Sequence, residues 1–127
     1  MNFPSDLRYT KDHEWVRVEG GTATMGITEF AASELGEVVF VELPAIGKSF
    51  KQADSVCVVE STKAASDVYA PIGGTIKEVN KALSDKPELV NQSAYENGWM
   101  AKLGDFKEGD LKNLMSAEEY RKHVGDR

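Results

Sequence analysis

The chain has 127 residues, of which 41% are hydrophobic and 28% charged, and a formal net charge of −6. This length suits a single domain with its own apolar core, and the composition is that of a globular protein. The negative charge argues against nucleic acid as a partner, because nucleic acids bind basic surfaces, and no apolar run approaches the roughly 20 residues of a membrane span. The single cysteine rules out an internal disulfide, and the two distant histidines give no metal-ligand spacing.

The N-terminal part of the chain predicts a β-hairpin followed by a short helix. Residues 7–28 contain two extended runs separated by a Glu-Gly-Gly turn at 19–21. Thr28 is placed to cap a helix over Glu29–Leu35, and Gly36 can end that helix in a left-handed conformation.

Two further segments predict the middle of the sheet structure. Residues 37–43 (EVVFVEL) are apolar on both faces, so we expect a strand in a central position. Residues 56–71 (VCVVESTKAASDVYAP) place two runs of β-forming residues on either side of 61–64, which predicts a hairpin with Lys63 at its tip. The bend contains no Asn-Gly or Asp-Gly pair, so a primed two-residue turn is not favoured, whereas a type I turn tolerates these residues.

The remaining residues predict two more strands and a helical C-terminus. Strands are expected at 75–80 and 99–103, joined by a polar loop, 81–98, with one helical turn near 88–91. Asp110 can cap a short helical segment. Ser116 and Glu119 form the pattern of a capping box for a last helix over 117–124, which Gly125 can end.

The order and spacing of these segments carry a resemblance that spans nearly the whole chain. The chain resembles the H proteins of the glycine cleavage system, a family of lipoyl carriers. The matching segments are His13-Glu14-Trp15-Val16, Gly26-Ile27-Thr28, residues 35–44 (LGEVVFVELP), residues 60–71 (ESTKAASDVYAP), residues 87–91 (PELVN), residues 98–100 (GWM) and Glu119-Tyr120.

The resemblance implies a mainly β fold, a barrel-sandwich hybrid of two antiparallel sheets. A short helix would follow the first hairpin and further helices would lie at the C-terminus. We expect one lipoyl-carrier domain over 1–127, with a core at about 7–104 and a C-terminal helical extension at about 105–127.

The resemblance also implies a shuttle rather than an enzyme, and no catalytic residue is predicted. Lys63 would be N6-lipoyllysine, with (R)-lipoate attached covalently. The arm would receive the aminomethyl group of glycine from a pyridoxal-phosphate glycine decarboxylase and pass it to a tetrahydrofolate-dependent aminomethyltransferase. Dihydrolipoamide dehydrogenase would reoxidise it, and a lipoate-attaching enzyme would install it. The expected location is the cytoplasm of a bacterium, or the mitochondrial matrix if a presequence was removed.

The cargo itself predicts an acidic docking site, because a protonated aminomethyl group is cationic and breaks down in water. A carboxylate beside a water-poor cleft can hold such an ammonium by charge-assisted hydrogen bonds. The candidates are Glu14 and Asp67, and the family resemblance implies that the loaded arm folds back into a cleft.

A second set of residues surrounds the carrier lysine and is a candidate for recognition by the lipoate-attaching enzyme. Glu60 is the first choice because it is charged and flanks the bend. The other candidates are Ser61, Thr62, Ala64 and Ala65.

Two other readings stay open at this point. The chain could be a lipoyl or biotinyl carrier of another multienzyme complex, although Thr62 and Ala64 fit neither the biotin carriers nor the usual dehydrogenase-complex version. It could also be an unmodified scaffold domain. An independent enzyme is the weakest alternative, because no nucleophile-base pair, phosphate loop or metal cluster is evident.

Overall fold

The computed structural model describes residues 1–125, so the last two residues of the predicted C-terminal extension, 126 and 127, lie outside the described part. The strands are β1 (Arg8–Tyr9), β2 (Glu14–Glu19), β3 (Thr22–Ile27), β4 (Val38–Glu42), β5 (Ser49–Phe50), β6 (Ser55–Ser61), β7 (Ala65–Tyr69), β8 (Gly74–Val79) and β9 (Ala101–Gly104). The helices are α1 (Glu29–Leu35), α2 (Ala82–Asp85), α3 (Leu89–Gln92) and α4 (Ala117–His123), with a 3-10 helix at Glu108–Asn113.

Within residues 1–125 the strands form two antiparallel sheets, as predicted. One sheet has six strands in the order β1-β2-β3-β9-β8-β5, and the other has three in the order β4-β6-β7. Each pairing between neighbouring strands is antiparallel. This architecture confirms the predicted fold class.

Two clusters of buried side chains hold the sheets and the termini together. The larger cluster fills the space between the sheets and includes Met25, Val59 and Leu103, each fully buried. The smaller cluster is aromatic and joins the N-terminal residues to α4. In it the rings of Tyr9 and Tyr120 stack with their centroids 4.7 Å apart.

The first helix forms where the sequence predicts it, and its two ends have physical causes. The Thr28 hydroxyl accepts a hydrogen bond from the Ala31 N–H at 3.2 Å. At the other end Gly36 has φ of +82°, a left-handed conformation that side-chain-bearing residues rarely adopt. Its N–H bonds the Ala32 carbonyl at 3.0 Å, which closes the last turn of the helix.

The prediction that 37–43 occupies a central position is wrong. β4 lies at the edge of the three-stranded sheet, and β6 is the central strand. A register shift between Val38 and Phe40 interrupts the alternation of side chains. As a result Val38 is buried, whereas Val39 and Phe40 are 50% and 48% exposed.

The prediction of a last helix is confirmed, whereas the prediction that Asp110 caps a short helical segment is wrong: Asp110 lies inside the 3-10 helix, and its carboxylate accepts from the Gly73 N–H at 2.9 Å. The capping box of α4 is present, since the Ser116 hydroxyl accepts from the Glu119 N–H and the Glu119 carboxylate accepts from the Ser116 N–H. Glu118 and Lys122 pair at 3.9 Å on the exposed side of α4. Between 81 and 98, however, the chain forms two short helices, α2 and α3, where one helical turn was predicted.

Candidate functional site

Lys63 lies at the tip of the hairpin formed by β6 and β7. Ser61 shapes the bend: its N–H donates to the Ala64 carbonyl at 2.8 Å, and its hydroxyl oxygen accepts from the N–H groups of Lys63 at 3.2 Å and Ala64 at 3.1 Å. Neither Thr62 nor Lys63 has a positive φ, so the turn is not of the primed type. The sequence-based expectation for the turn is therefore confirmed.

The side chain of Lys63 is exposed and crosses the end of α1. A Cβ atom added at Gly36 would lie 3.1 Å from Lys63 Cε, so the bare glycine gives the lysine stem room to lie there. The preceding turn residue, Thr62, contacts the residue before β4, because its N–H donates to the Glu37 carbonyl at 3.0 Å. Among the ion pairs within residues 1–125, none involves Lys63.

A cavity of about 180 Å³ runs between α1 and β7, beside this lysine. Leu35, the last residue of α1, belongs to its wall and directly precedes Gly36. Most of the remaining wall is either apolar or acidic. The apolar residues are Ile27, Ala31, Leu35 and Val68, and the acidic residues are Asp12, Glu14, Glu34 and Asp67.

Glu14 is a buried acid in this wall, with 2% of its surface exposed. Its carboxyl oxygens accept from the Thr10 hydroxyl at 2.5 Å and from the Tyr69 N–H at 3.3 Å, and no cation among the described residues pairs with it. Burial raises the pKa of Glu14 to about 7, against the opposing effect of these hydrogen bonds. Glu14 also borders a second cavity, of about 360 Å³, with Tyr69 and Met115 in its wall.

Asp67 shares the smaller cavity with Glu14, although 53 positions of chain separate them. It is exposed, and its carboxylate accepts a hydrogen bond from the Ser55 hydroxyl at 2.9 Å. The structure thus brings the two predicted docking candidates to one cavity, one buried and one open to solvent. Cys57 is excluded from this chemistry, because burial raises the pKa of its thiol to about 12 and it lies in the core.

The recognition candidates are spread over the tip and the outer face of the three-stranded sheet. Glu60 is exposed and lies opposite Phe40 on one side and Ala65 on the other. Thr62 and Ala64 are exposed and Ser61 is half-buried.

Comparison with known proteins identifies the architecture that carries this lysine. The family model described as Glycine cleavage H-protein matches residues 7–127. The chain belongs to the glycine cleavage H-protein family. H proteins are carrier components of the glycine cleavage system and not enzymes, so this chain has the role of a lipoyl-carrying shuttle.

Individual H proteins resemble it over almost their entire length. The glycine cleavage system H protein of Halothermothrix orenii is 48% identical over 124 residues, which cover 98% of this chain and 97% of that protein. The H protein of Staphylococcus saprophyticus is 49% identical over 126 residues, covering 99% of this chain and 100% of the relative. The crystal structure of the H protein from Mycobacterium marinum superimposes with a TM-score of 0.86 at 38% identity, covering 96% and 98% of the two chains.

Several residues of the candidate site did not emerge as site residues from the sequence. Thr10 and the backbone of Tyr69 bind Glu14, and Gly36 gives room to the lysine stem. The sequence indicated Gly36 only as the end of α1. A glycine at this position could also have indicated that the backbone leaves space for a neighbouring side chain.

Proposed function

We propose that Lys63 is the lipoylated residue of this H protein, and that the loaded arm folds into the cavity between α1 and β7. In this state Glu14 and Asp67 receive the ammonium of the aminomethyl cargo. The observation that carries the proposal is one exposed lysine whose stem lies against Gly36, next to the cavity residue Leu35, while the same cavity contains a buried acid that no cation among the described residues pairs with.

The turn suits acylation of the lysine. Its amine is exposed on a protruding bend, where a modifying enzyme can reach it, and the Ser61 hydrogen bonds fix the backbone on either side. Amide formation joins Nζ to the carboxyl carbon of an activated acyl donor, with loss of the activating group from the donor and of two protons from the lysine ammonium. The reaction removes the positive charge of the lysine, so the net charge of −6 becomes −7.

The cavity suits the attached group in two respects. When bound, the dithiolane supplies a disulfide that can take the aminomethyl group on one sulfur while the other becomes a thiol. Ile27, Ala31, Leu35 and Val68 provide an apolar surface for an aliphatic chain and a sulfur ring. At the same cavity Glu14 and Asp67 provide carboxylates for a cation, and charge-assisted hydrogen bonds of this kind are stronger than neutral ones.

The raised pKa of Glu14 supports a role in which the charge of this residue depends on whether the cationic cargo is present. A buried carboxyl group with a pKa of about 7 is only partly ionised at neutral pH in the empty cavity. An adjacent ammonium favours its charged form and lowers its pKa. Glu14 thus becomes a full negative charge when the cation arrives, and the walls around it limit access of water to the cargo.

The proposed partners are the enzymes that must reach this arm in turn. They are a pyridoxal-phosphate glycine decarboxylase, a tetrahydrofolate-dependent aminomethyltransferase, dihydrolipoamide dehydrogenase and a lipoate-attaching enzyme. A tether on an exposed turn gives its end a high effective concentration at each docked active site. The cytoplasm is the proposed location, in line with the bacterial sources of the relatives. Within residues 1–125, no helix has the length and apolar character to cross a membrane.

The attachment site is tested by mass spectrometry of the protein after incubation with a lipoate ligase, ATP and lipoate. We expect one lipoyl increment, located on the peptide that contains Lys63, and none in Lys63→Arg. A biotin increment from a biotinylating host would support a biotin carrier instead. An unmodified Lys63 after exposure to a competent ligase would contradict the proposal and favour a scaffold domain.

The recognition residues are tested with a matched pair of acids on the same face. Glu60 and Glu42 are both exposed and lie on the outer face of the three-stranded sheet, but Glu42 pairs with Val58, two residue pairs further from the tip than Glu60. We expect Glu60→Gln to slow lipoylation and Glu42→Gln to leave it near the wild-type rate. Unchanged lipoylation of the Glu60 variant would remove it from this role, after which Thr62, Ala64 and Ala65 are the next positions to substitute.

The docking residues are tested by timing loss of the cargo from the loaded protein. We expect Glu14→Gln and Asp67→Asn to release formaldehyde and ammonia faster than wild type, with the larger effect at the buried Glu14. Glu19→Gln, at the exposed end of β2, is the control. Release no faster than wild type from the Glu14 variant would exclude Glu14 as the cation partner.

A further inference from the structure

Three side chains from distant parts of the sequence form a hydrogen-bonded chain that reaches the cavity wall at His13. The Tyr120 hydroxyl lies 2.8 Å from His13 Nδ1 and 2.8 Å from Thr28 Oγ1. Tyr120 and Thr28 are fully buried, and the Thr28 oxygen also accepts from the Ala31 N–H. The chain therefore joins α4, the loop before β2 and the first turn of α1.

The hydrogens in this chain have one arrangement that satisfies every group. The Thr28 hydroxyl oxygen accepts from the Ala31 N–H, and among the described residues its own hydrogen has no hydrogen-bond partner other than Tyr120. Thr28 therefore donates to Tyr120, which in turn donates to a neutral His13. A protonated His13 would donate from Nδ1 and reverse the order. The Thr28 hydroxyl hydrogen would then have no acceptor among the hydrogen bonds of the described residues, which is unfavourable for a buried group.

The position of His13 links this chain to the cargo site. His13 has φ of +74°, a conformation that residues other than glycine rarely adopt, and its ring packs on Phe30 with the centroids 4.8 Å apart. It directly precedes Glu14, and its carbonyl accepts from the Thr28 N–H at 3.0 Å. Contacts that hold the His13 ring therefore also fix the direction in which the next residue, Glu14, enters the cavity.

We propose that Tyr120, acting through His13 and Thr28, is a positioning residue that holds Glu14 and the Ala31 wall in place, so that docking of α4 determines how well the cargo is protected. Tyr120 is not part of the cavity wall, and its effect passes through the other two side chains. The proposal rests on the proposed function, because the occupant of the cavity is assigned there.

The decisive variant is Tyr120→Phe, and Tyr9→Phe is its matched control. Both lose one hydroxyl from the same aromatic stack and keep the ring, but the Tyr9 hydroxyl donates to the Pro4 carbonyl at 2.6 Å, away from the cavity. In the loaded protein we expect Tyr120→Phe to release cargo about fivefold faster than wild type, the equivalent of one net hydrogen bond. Tyr9→Phe should match wild type, and wild-type release from Tyr120→Phe would overturn the proposal.

A second measurement needs no lipoyl group. An NMR titration of the unmodified protein follows the His13 ring, whose pKa is lowered mainly by burial and then by His123. Without the Tyr120 hydroxyl, protonation of His13 no longer requires the hydrogen bonds between Thr28, Tyr120 and His13 to reverse their direction. We therefore expect the His13 pKa to rise in Tyr120→Phe. The other groups that face the ring, His123, Asp12 and Glu34, are unchanged in this variant. An unchanged pKa would contradict the arrangement of hydrogens.

Substitutions at Thr28 test the middle group of the hydrogen-bonded chain. Thr28→Ser keeps the hydroxyl and with it the cap of α1, so it should protect the cargo like wild type. Thr28→Val removes both the hydroxyl and the cap, so it should release the cargo at least as fast as Tyr120→Phe. Equal protection by both variants would overturn the proposal. If wild type releases the cargo as fast as free aminomethyl-dihydrolipoamide does, the proposed function fails. If wild type protects the cargo and Tyr120→Phe and Thr28→Val protect it equally well, the proposed function stands and this inference fails.

Discussion

At the scale of single residues, Glu14 shows how a site for a cation affects the stability of the empty protein. The folded state binds the Glu14 proton more tightly than the unfolded state, because burial raises the pKa from 4.5 to about 7. The stabilising contribution of this group is therefore fully present below pH 4.5 and is lost as the pH rises through about 7. At neutral pH the partly ionised Glu14 therefore makes the empty protein less stable, and the same carboxylate is available to the cationic cargo.

Glu14→Gln should stabilise the empty protein in a pH-dependent way. The amide does not ionise, and its oxygen can still accept from the Thr10 hydroxyl, as the Glu14 carboxyl does. We expect a gain in unfolding free energy on the order of 3 kcal/mol at pH 8, falling below about 1 kcal/mol at pH 5. Urea unfolding at the two pH values measures it, with Glu19→Gln as the exposed control. A gain that does not vary with pH would show that the ionisation of Glu14 is not its source.

Single residues also mark the limit of what the sequence could predict about the site. Lys63 could be placed because β-forming residues flank it on both sides. Glu14 and Asp67 could be named from their chemistry, but not their shared cavity, because they lie on strands of two different sheets that only the packing of the folded protein brings together. The contact between His13 and Tyr120 spans 107 positions and has no local signal.

At the scale of elements, helix ends were predictable and strand environments were not. Thr28, Gly36 and the Ser116–Glu119 box act within one turn of chain, so their residue types alone indicate the boundaries. The environment of β4 depends on its neighbours. Its apolar residues suggested a central strand, but the register shift after Val38 turns Val39 and Phe40 to solvent.

The end of α1 gives a prediction at this scale, since Gly36 combines a left-handed backbone with a close approach of Lys63. We expect Gly36→Ala to lower the unfolding free energy by about 1 kcal/mol, because the added Cβ strains a conformation at φ of +82°. Gly21→Ala is the matched control: it lies in a turn, has no positive φ and has open space around it. Urea unfolding of both variants provides the comparison, and equal midpoints would mean that the helix can end without the glycine.

At the scale of the whole molecule, the two clusters of buried residues differ in how firmly they are held. The sandwich core is covered by strands on both sides, and Val59 in the central strand β6 is fully buried. The C-terminal segment is attached by the Tyr9–Met115 pair of backbone hydrogen bonds, at 2.9 and 2.7 Å, and by the aromatic stack of Tyr120. Elements with fewer buried contacts open at lower free energy than the core.

Native-state hydrogen exchange should therefore detect α4 opening before the sandwich. We expect the Met115 and Tyr120 amides to exchange together, about tenfold or more faster than the Val59 amide. Ser116→Ala removes the side chain that caps α4, at a cost of about 1 kcal/mol, so it should accelerate exchange of the Tyr120 amide about fivefold. The Val59 amide is the internal control and should not change. Equal acceleration at Val59 would show that α4 and the sandwich unfold as one unit, and the C-terminal helix could then not adjust the cargo site independently of the fold.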